Sequence, residues 1–314
     1  MNCLVTGASG YIGSSLIKRL VKDDHKVKGL IHQKQPSFLE KNVEYIQGDI
    51  TDVSSIRNVV KDAEVVFHCA ALVRDLAPKN DFYKINLQGT KNIVEACIEH
   101  AIKRFIFLSH IQYESPQKSG HYSISKAMAE QYLLDRYKNG NFPVVIMRPG
   151  NVYGPGYAIW VFVPLRAIEK DRISLINSGN GIFHHTYIDN LVDALTIAMQ
   201  KPNIDGETID ITDGDNSTTW GQYLNALAKM LGKPPIKRNM SKSTAMALSK
   251  IMMLLYSIFR VKPWVTPTAV EVFTNQNKTS IEKAESLLGY KPRIDYETGI
   301  KKVENWLKSE GYIP

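Results

Sequence analysis

Cysteine is scarce in this chain: Cys3, Cys69 and Cys97 are odd in number, far apart, and each embedded in an apolar run. That argues against a disulfide scaffold, and no Cys/His spacing suits a metal, so reduced, buried thiols and no metal site are expected. Long hydrophobic runs are lacking as well. The longest, MALSKIMMLLYSIF at 246–259, is interrupted by Ser249 and Lys250 and is too short for a membrane span. It reads as a lid over a substrate or as a core helix, in preference to a membrane-surface contact. No block of five or more like charges occurs, which argues against a nucleic-acid arm. The excess of 39 Lys/Arg over 31 Asp/Glu, +8 at pH 7, reads as spread over a solvated surface rather than as a phosphate-binding face. There is no internal repeat and no low-complexity tract. MNCLVTG enters a strand at once, leaving no room for a signal peptide, so a cytoplasmic address is expected.

What is present is a rhythm. Short apolar runs at 3–7, 26–31, 44–48, 65–69, 105–109 and 144–148 alternate with helical stretches such as YIGSSLIKRLVKD and INLQGTKNIVEACIEHA. Near-continuous apolar strands separated by helices predict an α/β fold, a doubly wound parallel sheet of six or seven strands. After Arg148 the rhythm breaks at the Pro/Gly-rich turn RPGNVYGPG. The spacing then predicts a helix over 187–200 capped by Asp189, a strand at 207–212, and helices at 218–232, before Gly289, and near 296–310. The division expected is a nucleotide-binding domain at 1–150 and a smaller mixed α/β lobe at 151–314. Segments such as 177–200 would return to the core.

TGASGYIG joins the first strand to the first helix and places Gly7, Gly10 and Gly13 at three-residue intervals. The first glycine permits the tight turn, the second lets backbone approach a pyrophosphate, and the third lets helix and strand pack closely. Free N–H groups at the helix start would then meet phosphate. An NAD site normally offers a carboxylate at the end of the second strand, but here the chain reads Ile31-His32-Gln33-Lys34. His32 or Lys34 could accept a 2′-phosphate, which favours NADP(H) and leaves NAD(H) open. Asp49, in GDITD, is placed to bind the adenine amino group or to cap the next helix, although Asp52 or Ser54 is better placed for the cap. The small Ala70 and Ala71, in HCAA, would leave room for a cofactor.

Tyr122 and Lys126 stand four apart in HYSISKAMAEQYLLDRY, on one face of a predicted helix. A free tyrosine has a pKa of about 10, so proton exchange near neutrality requires about 4 kcal/mol of stabilisation of the phenolate. An ammonium roughly 4 Å away, at an effective dielectric of about 20, supplies that much. Lys126 is therefore expected to lower the Tyr122 pKa, with its other donors holding a nicotinamide ribose.

Taken together, TGASGYIG, GDITD, HCAA, YKINLQGT, YSISK, RPGNVYGPG, YIDNLVDAL and LLGYKPR resemble the extended short-chain dehydrogenase/reductase superfamily almost end to end. The stretch from FHHTYIDNLVDAL through GETIDITDGDNSTTWGQYLNALAKMLGKPP is similar to the branch of 3β-hydroxysteroid dehydrogenases, sterol carboxylate dehydrogenases and dihydroflavonol-type reductases. The resemblance implies that Gly7, Gly10, Tyr11, Ile12 and Gly13 contact the pyrophosphate, and Asp49 and Ile50 the adenine. Ala70, Ala71 and Asn86 would line the cofactor channel, and Pro149, Gly150 and Val152 would flank the nicotinamide. Tyr122 would be the acid/base and Lys126 its activator. Asn151 and Tyr153 would face a small, apolar substrate. A helix-mediated homodimer is usual among such relatives.

One position departs from the pattern. Relatives carry a carbonyl-polarising hydroxyl after the fifth strand, where FIFLSHIQY puts His110, with Ser109 one residue early. The stretch from there to Tyr122 is also shorter than in most relatives. Ser109 could rotate in, His110 could donate from its ring, or neither acts and the chain binds nucleotide without turnover, as some relatives with a Ser-His pair do. The leading expectation is an NADP(H)-dependent oxidoreductase interconverting a secondary alcohol and a ketone on a hydrophobic molecule. A nucleotide-sugar epimerase or dehydratase holding NAD is the alternative that Asn151 favours, and a non-catalytic NADP-binding protein is the other.

Overall fold

The computed structural model describes residues 1–33, 40–74, 76–112, 120–156 and 158–314. In its first half β1 (Asn2–Thr6), α1 (Tyr11–Lys22), β2 (Lys26–Ile31), β3 (Val43–Gln47), α2 (Val53–Val60) and β4 (Val65–His68) follow in turn. A single turn, α3 (Lys79–Phe82), runs through a π-helical stretch (Tyr83–Gly89) into α4 (Thr90–Glu99). Then come β5 (Arg104–Leu108), α5 (Gly120–Gly140) and β6 (Val144–Pro149). The second half contains β7 (Asn151–Tyr153), α6 (Ile159–Glu169), β8 (Leu175–Ile176), β9 (His185–Tyr187), α7 (Ile188–Gln200), β10 (Thr208–Ile211) and α8 (Trp220–Met230). It ends with β11 (Asn239–Met240), α9 (Lys242–Phe259), α10 (Pro267–Thr274), α11 (Glu282–Leu288) and α12 (Tyr296–Ser309).

Seven strands form one sheet in the order β10-β6-β5-β4-β1-β2-β3, and every neighbouring pair is parallel. The order reverses between β1 and β4, which opens a crevice at their carboxyl ends. Alternation along β5 explains the two-sided core. Ile106 and Leu108 face α1 and α7 through Leu16, Ile17, Leu191 and Leu195. Phe105 and Phe107 face α2, α4 and α5 through Ile56, Ile93, Ala129 and Leu133. β4 and β5 are buried along their whole length, as strands covered on both faces must be.

The chain after Pro149 returns to this core twice. α7 lies against α1 and β5, and β10 adds the seventh strand beside β6. Asp189 sits in the first turn of α7 rather than at its cap, which is Tyr187. Two short parallel pairs, β7–β9 and β8–β11, organise the remaining lobe. The 246–259 run lies within α9, which begins at a Ser241 cap, and among its residues only Ala245 and Ser249 are buried. The core-helix expectation therefore fails. One face of α9 covers Ile176, Val265 and Val270, and the other carries large apolar side chains in solvent.

Candidate active site

The glycine loop behaves as its spacing requires. Gly7 adopts φ +67°, and a Cβ there would lie 2.8 Å from the Ala70 amide nitrogen. A Cβ on Gly13 would lie 2.3 Å from the Gly7 carbonyl oxygen, so α1 approaches the loop as closely as only glycine permits. Gly10 caps α1 without any side-chain oxygen, and the first turn carries no acid. The helix start thus keeps its backbone donors and dipole for an anion. Ile12 is half-buried against the core, while Tyr11 packs its ring beneath Gly154 and Gly156 and buries its hydroxyl without a partner. The Tyr11 side chain points into the lobe, so its contribution to a pyrophosphate site is backbone.

At the end of β2, His32 Nε2 stands 3.5 Å from Asp49 Oδ2. Lys34 lies outside the described residues. Asp49 Oδ1 accepts from the Thr51 amide at 2.8 Å, while Asp52 caps α2 through Ser54. Burial alone would raise the Asp49 pKa, but Thr51 and the charges of His32 and Lys84 hold it below the ordinary value. Ile50 is buried, packed on Gly89, where an added Cβ would come within 2.7 Å of it.

Beneath the crevice runs a chain of hydrogen bonds that the sequence did not advertise. The Ala70 amide donates to Thr6 Oγ1 at 3.1 Å, and Thr6 Oγ1 meets His68 Nδ1 at 2.8 Å. His68 Nε2 meets Thr90 Oγ1 at 3.0 Å, and Thr90 donates to the Asn86 carbonyl at 2.7 Å. Thr90 has one proton and gives it to Asn86, so Nε2 must carry the ring proton and Nδ1 must accept from Thr6. Burial, with the Lys126 charge nearby, pushes the His68 pKa down to about 3, which keeps the ring in this neutral tautomer. Asn86 accepts from the Leu72 amide at 2.7 Å and donates to Ser125 Oγ at 3.0 Å, tying the Ala70–Ala71 segment to α5.

On α5, Tyr122, Lys126 and Glu130 form one stripe at four-residue spacing. Lys126 is buried. Its Nζ donates to the Leu108 carbonyl at 2.6 Å and lies 3.8 Å from the centroid of the Phe107 ring. Burial depresses its pKa to about 7, although Glu130 and Cys69 pull it upward. For Tyr122 the direction runs against the sequence expectation. Burial, with the Glu130 charge added, raises the phenol above its ordinary value, because a phenolate here is desolvated and the lysine ammonium is committed to the Leu108 carbonyl. Glu130 is buried and forms a two-pronged ion pair with Arg148 of β6, one prong being Arg148 Nε to Oε1 at 2.9 Å.

Ser109 and His110 both reach this region. Ser109 continues the β5 ladder by donating its amide to Met147, and its buried Oγ has no partner. The His110 ring lies 4.9 Å from the Tyr122 ring between centroids, with Nε2 2.9 Å from Ser123 Oγ and Nδ1 buried and unpartnered. Ser123 was missed by sequence reasoning, since nothing in YSISK distinguishes its first serine from its second.

The turn after β6 closes the far side. Gly150 donates to the Ile211 carbonyl at 3.0 Å, and a Cβ on it would lie 2.2 Å from the His184 carbonyl oxygen. Pro149 and Val152 are buried in β6 and β7, and Asn151 buries an Nδ2 without a partner. Tyr153 is a correction: expected to face a substrate, it is fully buried among Phe183, His185, Tyr187 and Tyr223.

The glycine cradle, the uncapped start of α1 and the unpartnered polar atoms around Tyr122 fit a dinucleotide. Residues 3–212 match the family described as "NAD dependent epimerase/dehydratase family". The chain is 25% identical over 328 residues to the 2-alkyl-3-oxoalkanoate reductase of Stenotrophomonas maltophilia, covering 97% of this chain and 98% of that protein. It is also 25% identical over 325 residues to the decarboxylating sterol-4-alpha-carboxylate 3-dehydrogenase of Mus musculus, covering 96% and 89%. Among solved structures, the Thermotoga maritima UDP-glucose 4-epimerase with UDP-glucose superposes with a TM-score of 0.77 at 22% identity, covering 99% of each chain. That last likeness concerns the fold. The chain belongs to the NAD-dependent epimerase/dehydratase family, within the extended short-chain dehydrogenase/reductase superfamily, and is an NAD(P)-dependent enzyme.

Proposed function

We propose that the protein interconverts a secondary alcohol and a ketone on an apolar small molecule, with NADP(H) as the preferred cofactor. The observation that carries this reading is the Tyr122–Lys126 pair on α5, seated on the carboxyl end of β5 through the Leu108 carbonyl. A bound nicotinamide supplies or accepts the hydride. Tyr122 gives a proton to the carbonyl oxygen in reduction, or takes one from the alcohol in oxidation. Lys126 sits one turn deeper, where its positive charge favours the phenolate once the site is filled. Gly7, Gly10 and Gly13 would hold the pyrophosphate, and Asn86 keeps the channel wall at Leu72 in place. The preference for NADP(H) rests on a second strand that itself ends without a carboxylate and on the exposed His32 that follows it. Two relatives are named as a reductase of 2-alkyl-3-oxoalkanoates and a 3-dehydrogenase of sterol-4-alpha-carboxylates, names that share a carbon-3 oxygen function on an apolar skeleton.

The test is turnover of NADPH and NADH with a panel of apolar ketones, including 3-oxo acids, by wild type and Tyr122→Phe. The expected result is faster turnover with NADPH and a loss of about 10²–10⁴-fold in the variant, the range for a lost general acid. Equal turnover in both proteins would sink the assignment. A second reading, epimerisation or dehydration of a nucleotide sugar with NAD, is favoured by the unpartnered Asn151 amide alone. It would be supported by conversion of a uridine diphosphate sugar without net cofactor turnover.

A further inference from the structure

We propose that α9 and the turn after it seat the protein on an anionic membrane surface, lying on the bilayer without crossing it. Ile251, Leu254, Ile258, Phe259, Val261 and Trp264 are each between 53% and 66% exposed. Ile251, Leu254 and Ile258 recur at helical spacing on the outer side of α9, opposite the stripe of Ala245, Ser249 and Met252 that faces the protein, and Phe259 is exposed where the helix ends. Single exposed apolar residues are ordinary, but six gathered on one helix and its exit mark a contact surface. Among the described residues no helix is long and apolar enough to span a bilayer.

Charge identifies the occupant. The basic surplus is not spread along the chain, as the composition alone suggested. Residues 216–270 contain eight Lys/Arg and no Asp/Glu, leaving the rest of the chain balanced at 31 against 31. Within that stretch Lys250, Arg260 and Lys262 border the apolar face, and none forms an ion pair with a described carboxylate. Lys242, by contrast, is held by Glu271 at 2.7 Å. A second copy of this chain would bring like charges together across a two-fold axis. An anionic lipid surface meets the apolar face with acyl chains, the three cations with headgroups, and Trp264 at the boundary between them.

The surface also adjoins the site. Tyr256 of α9 donates to the Leu76 carbonyl at 3.4 Å, on the segment that follows the Ala70–Leu72 wall. Thr268 of α10 abuts Gly120, two residues before Tyr122. A membrane-dissolved apolar substrate would therefore arrive beside Tyr122, a consequence that rests on the proposed activity, whereas the binding itself does not.

The experiment is sedimentation of the full chain with vesicles of phosphatidylcholine alone or with added phosphatidylserine, at low and high salt. The expected result is binding to the phosphatidylserine vesicles that weakens with salt. Lys250→Gln/Arg260→Gln/Lys262→Gln should weaken it roughly fivefold per charge removed, and Leu254→Ser/Phe259→Ser should abolish it. Unchanged circular dichroism and ketone turnover without vesicles would show that these exposed substitutions leave the fold intact. Equal binding to both vesicle types, or no binding by wild type, would overturn the proposal whatever the turnover assay shows. So would a dimer that Leu254→Ser/Phe259→Ser dissociates while wild type ignores vesicles, since the face would then belong to a second copy.

Discussion

His110 places its Nε2 2.9 Å from Ser123 Oγ, which fixes its ring 4.9 Å from that of Tyr122. The residue that replaces the expected hydroxyl is thus held by a serine on the same helix as the tyrosine. Its Nδ1 remains buried without a partner, as does the Oγ of Ser109. Substitution separates the two. His110→Ala should lower kcat about 10²-fold, the scale of a lost carbonyl-polarising donor, with Ser109→Ala staying within a few-fold of wild type. Steady-state kinetics on both variants decide it, and a large loss in Ser109→Ala with none in His110→Ala would reverse the assignment.

Gly13→Ala tests the cofactor cradle. The new Cβ would lie 2.3 Å from the Gly7 carbonyl oxygen, so the loop or the helix start must move. Overpacking of this kind costs about 1–3 kcal/mol, or roughly 5- to 150-fold in dinucleotide affinity if the displaced loop is the binding element. Calorimetric titration with NADPH reads the effect.

Glu130→Gln probes both stability and proton chemistry. Removing one charge of the buried pair leaves Arg148 without its partner and should cost about 3 kcal/mol in urea unfolding. Glu130 also raises the pKa values of Tyr122 and Lys126, so the pH profile of kcat should move to lower pH in the variant. A profile unmoved despite the stability loss would confine Glu130 to a structural role.

His68 predicts a pH dependence of folding. Its pKa falls from 6.5 when unfolded to about 3 when folded, so between those values the unfolded chain binds more protons. Its contribution to stability is present above about pH 6.5 and is lost as pH falls toward 3, at up to about 1.4 kcal/mol per pH unit. His68→Phe should remove that slope and, by leaving the Thr6 hydroxyl proton without an acceptor, lower stability at pH 7 by about 1–3 kcal/mol. Urea midpoints at pH 5 and pH 7 for both proteins measure it.

Much of this molecule is legible in one dimension because its rules are local. The glycine spacing of residues 7–13, the β-branched and aromatic runs of the strands, and the four-residue interval from Tyr122 to Lys126 each depend on backbone periodicity. So does the cap at Asp52. Glu130 lay at the same interval beyond Lys126 and was passed over, although its partner Arg148, eighteen residues on, could be found only across a strand.

The local sequence determined the parallel sheet, the nucleotide cradle and the helix that presents Tyr122, since torsional preference and periodic burial act over a few residues. Tertiary structure alone decided three other things. It buried Tyr153 among aromatics from β9 and α8, although Asn151, two residues earlier on the same strand, keeps an unpartnered Nδ2. It reversed the expected direction of the Tyr122 pKa, because desolvation depends on what packs around a phenol and not on which residue follows four later. And it left the outer face of α9 uncovered, since an apolar helix is a core helix only if the rest of the chain folds over both of its sides.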